Sequence, residues 1–430
     1  MSLRVRWAVT ALALLLTSCA AVPGASPGRG PGSPSSAPGS AVAAVPEVPT
    51  GSAVAAVPEV PTGSQASPGS AVAAEPAGSP PAVPSTDQGA SGTSGEPTPE
   101  QLAGRRIVYS YPGLVPPPAL LDEIRAGRAA GVIFFGENVS GPEQLASVVA
   151  QLREAQRQSP VLVPLLLMTD QEGGRVRRLP GAPELSARLI GQAADPEAAA
   201  ATAGADAARN LAGLGLNVNL APVLDVYDTP GNFIDRSERS YSSDPAVVSA
   251  LGRAFITAQQ QNGVAATAKH FPGLGSAPAE RNTDTGPVTL PVTSGTLRGV
   301  DEAPYPDAIA AGVGLVMLSW AVYPALDPDR PAGLSTTVVE QELRGRLGYR
   351  GVTLTDALEA GALNGFGDTG RRAVAAAAAG MDLLLCSARD TAQGAQATAA
   401  LAAALATGEL DPAEFTAASD RVTALRAGLR

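Results

Sequence analysis

The chain has one histidine, His270, and one lysine, Lys269, and the two are adjacent. A Ser-His-Asp hydrolase would have to use His270, and a three-histidine zinc site is excluded. Carboxylates and guanidiniums occur in short clusters elsewhere: Asp170-Gln171-Glu172-Gly173-Gly174-Arg175-Val176-Arg177-Arg178, Asp225, Asp235-Arg236-Ser237, Asn282-Thr283-Asp284-Thr285 and Thr355-Asp356-Ala357-Leu358. Each alone has a structural reading. A carboxylate after a strand caps a helix, an Asp among arginines forms an ion pair, and a lone histidine can be a satisfied core residue. Gathered round one pocket, however, several arginines, a Lys-His pair and two or more carboxylates suit a neutral polyhydroxylated ligand. Charged hydrogen bonds would hold it, with carboxylate chemistry at its centre.

That chemistry requires a fold that brings the clusters together. From about Thr98 to Arg430, short apolar runs alternate with Ala/Leu/Arg-rich helical stretches, the pattern of parallel strands with crossover helices. Strands are predicted at Ile107-Tyr111, Gly131-Phe135, Leu162-Thr169, Asn217-Pro222, Ala265-His270, Leu315-Ser319, Val352-Thr355 and Asp382-Cys386. Helices are predicted between them, for example over Pro118-Ala129, Gly141-Gln156, Asp195-Leu214, Pro245-Asn262, Thr336-Leu347 and Gly370-Ala379. Eight strands predict an α/β protein built as a closed (β/α)8 barrel of the TIM type, whose working groups sit at the strands' C-terminal ends. A doubly wound open sheet is the alternative, but no glycine-rich phosphate loop follows the first strand. The clusters fall at the ends of the third, fourth, fifth and seventh runs.

The rest of the 430 residues is of another texture. Forty-seven glycines and 39 prolines are too many for compact structure throughout. Residues 1–19 read as an export signal: Arg4 and Arg6, an apolar run from Trp7 to Leu16 too short to span a bilayer as a mature helix, and Leu16-Thr17-Ser18-Cys19. The last four resemble the lipobox of bacterial lipoproteins, which implies lipidation of Cys19; an ordinary signal peptide is the alternative. Residues 20–97 are Ala, Gly, Pro, Ser and Val with almost no aromatics, a composition that predicts disorder. Within them Gly39 to Thr50 is repeated without change at Gly51 to Thr62. We read the segment as a spacer between an anchor and the folded domain, residues 98–430. The formal charge of −10 argues against a partner bound through nucleic-acid phosphates. Two cysteines give no disulfide framework, and Cys386 reads as a buried core thiol.

The motifs carry a resemblance. DQEGGRVRRLP from Asp170, NVNLAPVLDV from Asn217, DRSERSY from Asp235, KHFPGLG from Lys269 and GVTLTDALEAGAL from Gly351 together resemble the N-terminal barrel of family 3 glycoside hydrolases. Within that family they are most similar to the single-domain β-N-acetylglucosaminidases of cell-wall turnover. The resemblance implies that Asp356 is the nucleophile of a retaining mechanism, forming a covalent glycosyl-enzyme. It implies that Asp170, Arg178, Arg236, Lys269 and His270 bind the sugar, and that no metal or cofactor is needed. It further implies a substrate containing N-acetylglucosamine, such as a muropeptide or glycan fragment. The protein is then expected outside the cytoplasm, lipid-anchored to a bacterial cell membrane, as a monomer.

One departure matters. In that branch an Asp-Ser-His or Asp-Thr-His after KHFPG supplies the general acid/base, and here its counterpart is Glu280-Arg281-Asn282. Asparagine cannot shuttle a proton. Three outcomes stand open. Asp284, or second Glu280, acts as a carboxylic acid/base; or only good leaving groups are cleaved, or phosphate replaces water; or the site binds cell-wall sugar without turnover. A β-glucosidase-like activity of the same superfamily is a further alternative.

Overall fold

The protein is described from a computed structural model, which describes residues 96–429. The expected signal peptide with Cys19, and the spacer up to residue 95, lie outside the described residues. Eight strands close into a parallel barrel in sequence order: β1 (Ile107–Tyr109), β2 (Gly131–Ile133), β3 (Leu166–Thr169), β4 (Val218–Asn219), β5 (Ala265–Phe271), β6 (Leu315–Leu318), β7 (Val352–Ala357) and β8 (Leu383–Leu385). β8 closes on β1 through Ile107 opposite Leu384. All eight predicted strands are present, and the open-sheet alternative is excluded.

These runs are mostly apolar because both faces of the strands are largely buried, with polar exceptions toward the C-terminal ends of β5 and β7. The alternation is still legible in where the side chains go. Val108, Leu166, Met168, Leu315, Met317 and Leu354 fill the barrel interior, whereas Ile107, Tyr109, Leu167, Val316, Leu318 and Leu384 join the layer beneath the helices. Six of the predicted strands are shorter than expected, and in two of them a proline, which donates no ladder hydrogen bond, lies within the predicted run. Pro164 keeps β3 from starting at Leu162, and Pro222 ends the run that begins with β4.

Helices Pro118–Arg125, Pro142–Arg157, Pro196–Gly213, Pro245–Gln261, Tyr305–Ala310 and Thr369–Ala378 form the outer ring, completed by Thr391–Thr407 and Pro412–Ala427 after β8. Several start on an Asp whose carboxylate accepts a first-turn N–H, among them Asp195, Asp244, Asp368, Asp390 and Asp411. The stretch predicted as a helix over Thr336-Leu347 is helical over Thr337–Arg346 but of the wider π type, with the Leu347 N–H reaching back to the Glu342 carbonyl. At the end of the barrel away from the strand C-termini, Asp382 is fully buried and pairs with Arg344 at 2.6 Å and Arg421 at 2.8 Å. It also accepts the Thr353 N–H at 2.9 Å. Among the described residues no helix is long and apolar enough to cross a membrane.

Candidate active site

β3 delivers Asp170, and the chain then folds into a small antiparallel hairpin, Gln171–Gly173 with Val176–Arg177, that returns Arg178 beside it. Two amides lock the hairpin to the barrel. Asn219 of β4 accepts the Gln171 N–H and donates to its carbonyl, both at 3.0 Å, and the Gln171 amide pairs with both backbone groups of Leu179.

β5 ends in Lys269 and His270. Lys269 is 2% exposed, and its ammonium sits 2.7 Å from both Asp170 and Glu172. Burial alone would lower its pKa, but the two carboxylates outweigh it and raise it, so the amine is held charged. Glu172 lies behind this contact and takes both arms of the Arg239 guanidinium at 2.8 Å. Burial pushes the Glu172 carboxyl up, yet Arg239 and Lys269 together hold it well below the usual range. Opposite charges therefore alternate along the pocket wall, from Arg239 through Glu172, Lys269 and Asp170 to Arg178. The last link is loose, with Arg178 3.9 Å from Asp170 and 40% exposed, which leaves its fork available to a ligand.

His270 is oriented from behind. Its Nδ1 lies 2.7 Å from Asp225, and the same carboxylate accepts the backbone N–H groups of His270 at 3.2 Å and Leu274 at 2.7 Å. Burial opposes the charge on Asp225, but His270 and these N–H groups lower its pKa. Next to it Asp301 is buried, with only its own backbone N–H lowering its pKa. Burial, then Asp225 and Asp228, push its carboxyl up to about 7.

Asp356 lies in β7, one oxygen accepting the Ala357 N–H at 2.7 Å. Burial raises its pKa; the nearby charge of Asp284 raises it further, while His270 and Lys269 pull it down. The loop after β5 brings Asp284 over the mouth in a turn of its own making, its N–H donating to the Asn282 side chain at 2.9 Å.

A cavity of about 290 Å³ joins these groups. Asp170, Arg178, Lys269, His270, Asp284 and Asp356 all line it. Two residues singled out from the sequence do not. Glu280 is exposed and outside the lining, which the loop leaves after Leu274 and rejoins at Asn282. Arg236 is also exposed, with its guanidinium 5.9 Å from the Phe233 ring; the arginine of that segment that enters the wall is Arg239. Asp235-Arg236-Ser237 and Glu238-Arg239-Ser240 are near-copies three residues apart, so sequence pattern alone does not separate them. Arg236 sits in the one-turn 3-10 helix Asp235–Ser237, which Glu238 ends in the left-handed region, and Arg239 follows it into the wall.

The structure adds Phe135, Glu359, Ser387 and Arg389 to the opposite wall. Glu359 is saturated by the Ser387 hydroxyl at 2.6 Å, the Ser387 N–H at 3.3 Å and Gln393 at 2.9 Å. Arg389 lies 4.3 Å over the Phe135 ring and 3.2 Å from Glu137. Their place just past the second, seventh and eighth strands is the signal that could have found them. Cys386 is buried and free, and burial pushes its thiol up, in keeping with a core role.

Comparison with known proteins gives the same direction. Residues 118–425 match the glycosyl hydrolase family 3 N terminal domain. The chain is 46% identical over 329 residues to an uncharacterized secreted glycosyl hydrolase of Arthroderma benhamiae, covering 76% of this chain and 93% of that one. It is 36% identical over 272 residues to a beta-hexosaminidase of Xylella fastidiosa, covering 62% and 78%. The structure resembles a glycoside hydrolase family 3 β-N-acetylglucosaminidase from Paenibacillus sp. strain FPU-7, with a TM-score of 0.71 and 36% identity over 76% of this chain and 62% of that longer one.

Proposed function

Because the chain belongs to glycoside hydrolase family 3 and is a glycoside hydrolase, we propose that it is a retaining, exo-acting β-N-acetylhexosaminidase releasing terminal N-acetylglucosamine from peptidoglycan-derived fragments. The observation that carries this reading is one cavity, about 290 Å³, in which Asp356 and Asp284 face a wall of paired cations. That volume is at the small end for ligand sites and suits a single sugar ring better than a chain. The relatives named β-hexosaminidase and β-N-acetylglucosaminidase support the choice of sugar.

In this mechanism Arg178, Arg239 and Lys269 hold the sugar's hydroxyl and acetamido groups, with His270 fixed by Asp225 as a further ligand. An Asp356 oxygen attacks C1 while the bond from C1 to the leaving oxygen breaks, and Asp284 gives its proton to that oxygen. Water then transfers a proton to Asp284 and attacks C1, freeing Asp356. The environment of Asp356 fits the sequence of events. A protonated Asp284 carries no charge, so it ceases to raise the Asp356 pKa when Asp356 must be ionised. By residue count from His270, Asn282 falls where the family resemblance implies the histidine, and this favours a second reading in which only activated leaving groups are cleaved. Residues 98–430 are proposed as the catalytic unit, held outside the cell membrane by a lipid on Cys19.

The test uses the whole protein with an aryl β-N-acetylglucosaminide and with a disaccharide bearing terminal N-acetylglucosamine. Turnover of both, lost in Asp356→Ala, is expected. Asp284→Asn should keep kcat/KM on the aryl substrate while lowering its kcat, because the second step lacks its base, and should lose the disaccharide; Glu280→Gln should lose neither. Turnover of the aryl substrate alone by the unaltered protein would support the second reading. Binding of the sugar without any turnover would refute the enzymatic proposal.

A further inference from the structure

The loop carrying Asp284 rests on the turn that continues β7 beyond Asp356. Two main-chain hydrogen bonds join them: the Gly361 N–H donates to the Asp284 carbonyl at 2.8 Å, and the Ala362 N–H to the Thr283 carbonyl at 2.9 Å. Thr283 is buried beneath the contact. Because both bonds join backbone to backbone, the loop is held whatever the charge on the two carboxylates. Asp356 on its strand and Asp284 on its loop therefore share one hydrogen-bonded frame.

The contact leaves no space for a side chain at 361. A Cβ there would stand 2.5 Å from the Thr285 carbonyl carbon, 2.6 Å from its oxygen and 2.9 Å from the Gly286 nitrogen. These are backbone atoms, so relief requires the whole loop to move. Gly361 does not occupy the left-handed region, so it is wanted for proximity and not for its own φ. Gly365, in the same 3-10 turn Gly361–Phe366, differs: a Cβ there would meet nothing within 4 Å.

We infer that Gly361 is a positioning residue that sets the reach of Asp284 to the leaving oxygen. The inference rests on the reading of Asp284 as acid/base. A side chain at 361 lifts the loop and withdraws the proton donor, while Asp356 and the sugar-binding wall stay in place. An activated aryl leaving group departs without a proton, and a sugar alkoxide does not. The loss is therefore selective for the natural leaving group.

The experiment compares kcat/KM of the whole protein on the activated aryl glycoside and the disaccharide for Gly361→Ala, Gly365→Ala and Asp284→Asn. For Gly361→Ala we expect a loss of roughly tenfold to a hundredfold on the disaccharide and about threefold or less on the aryl substrate. Gly365→Ala should match the unaltered protein on both. Equal losses on the two substrates, or none, would overturn the positioning role. If Gly361→Ala does not accumulate folded, Ala362→Pro, which deletes the second N–H within the first turn of the helix, carries the test with the same expectation. Selective loss in Asp284→Asn without it in the latch variant would defeat this inference alone. No selective loss in Asp284→Asn would defeat the acid assignment beneath it.

Discussion

At the scale of residues, the site is a set of buried charges that are useful because they are paired. Lys269 at 2% exposure is tolerable only between Asp170 and Glu172. Glu172 in turn fixes the Arg239 fork. Arg239→Met should therefore raise KM for an N-acetylglucosaminide by about tenfold or more, removing a charged hydrogen bond and leaving Glu172 half-paired. Arg236→Met should leave KM within about twofold, as expected of an exposed side chain with no buried partner. Steady-state kinetics on the two variants checks both, and the reverse order would restore Arg236 to the site. Most of the charged lining was legible in the sequence because chemically distinctive residues, one Lys, one His and the Asp after a strand, cannot be confused with neighbours. Arg236 and Arg239 are not separable by sequence, because two Arg-Ser pairs three residues apart differ only in which way the chain turns. Glu359 and Arg389 carry no such mark in their residue types, and only their place past the strand ends points to the cavity.

At the scale of elements, positioning comes from the strand ends and from what is tied to them. The eight strands were readable because each is a short apolar run bounded by turns. Their lengths were not; in two of them Pro164 and Pro222 remove ladder donors inside runs that otherwise look continuous. The tie between the Asp284 loop and the turn after β7 had no sequence signature: Gly361 and Thr285 are far apart in the chain and meet only through backbone atoms. The opposite end of the barrel is held by charge. Asp382 is buried, with Arg344 and Arg421 on its two oxygens and the Thr353 N–H on one of them. Asp382→Asn should lower stability by about 3–5 kcal/mol, because two guanidiniums then lose their counter-charge, one of them buried. Denaturant unfolding measures it. A change below about 1 kcal/mol would mean that the network is not a structural tie.

For the whole molecule, one buried acid ties part of its stability to pH. Asp301 ionises near 3.8 in an unfolded chain but holds its proton to about 7 in the fold, through burial and the charges of Asp225 and Asp228. Between those values unfolding releases a proton, so stability falls as pH rises across that window and levels off above it. Asp301→Asn keeps the shape and removes the charge. It should raise the melting temperature at pH 8 and change little at pH 4; an equal shift at both would show that the carboxyl does not titrate in that window.

The central claim is that Asp356 becomes covalently glycosylated while Asp284 manages the proton, and one measurement addresses it directly. Asp284→Asn is incubated with an activated aryl β-N-acetylglucosaminide, where the first step needs no acid and the second lacks its base. The protein is then quenched, digested and mapped by mass spectrometry. An N-acetylglucosamine adduct should accumulate on the peptide carrying Asp356, with none on the same peptide in Asp284→Asn/Asp356→Ala. An adduct on another residue, or steady aryl turnover with Asp356 replaced, would contradict the account.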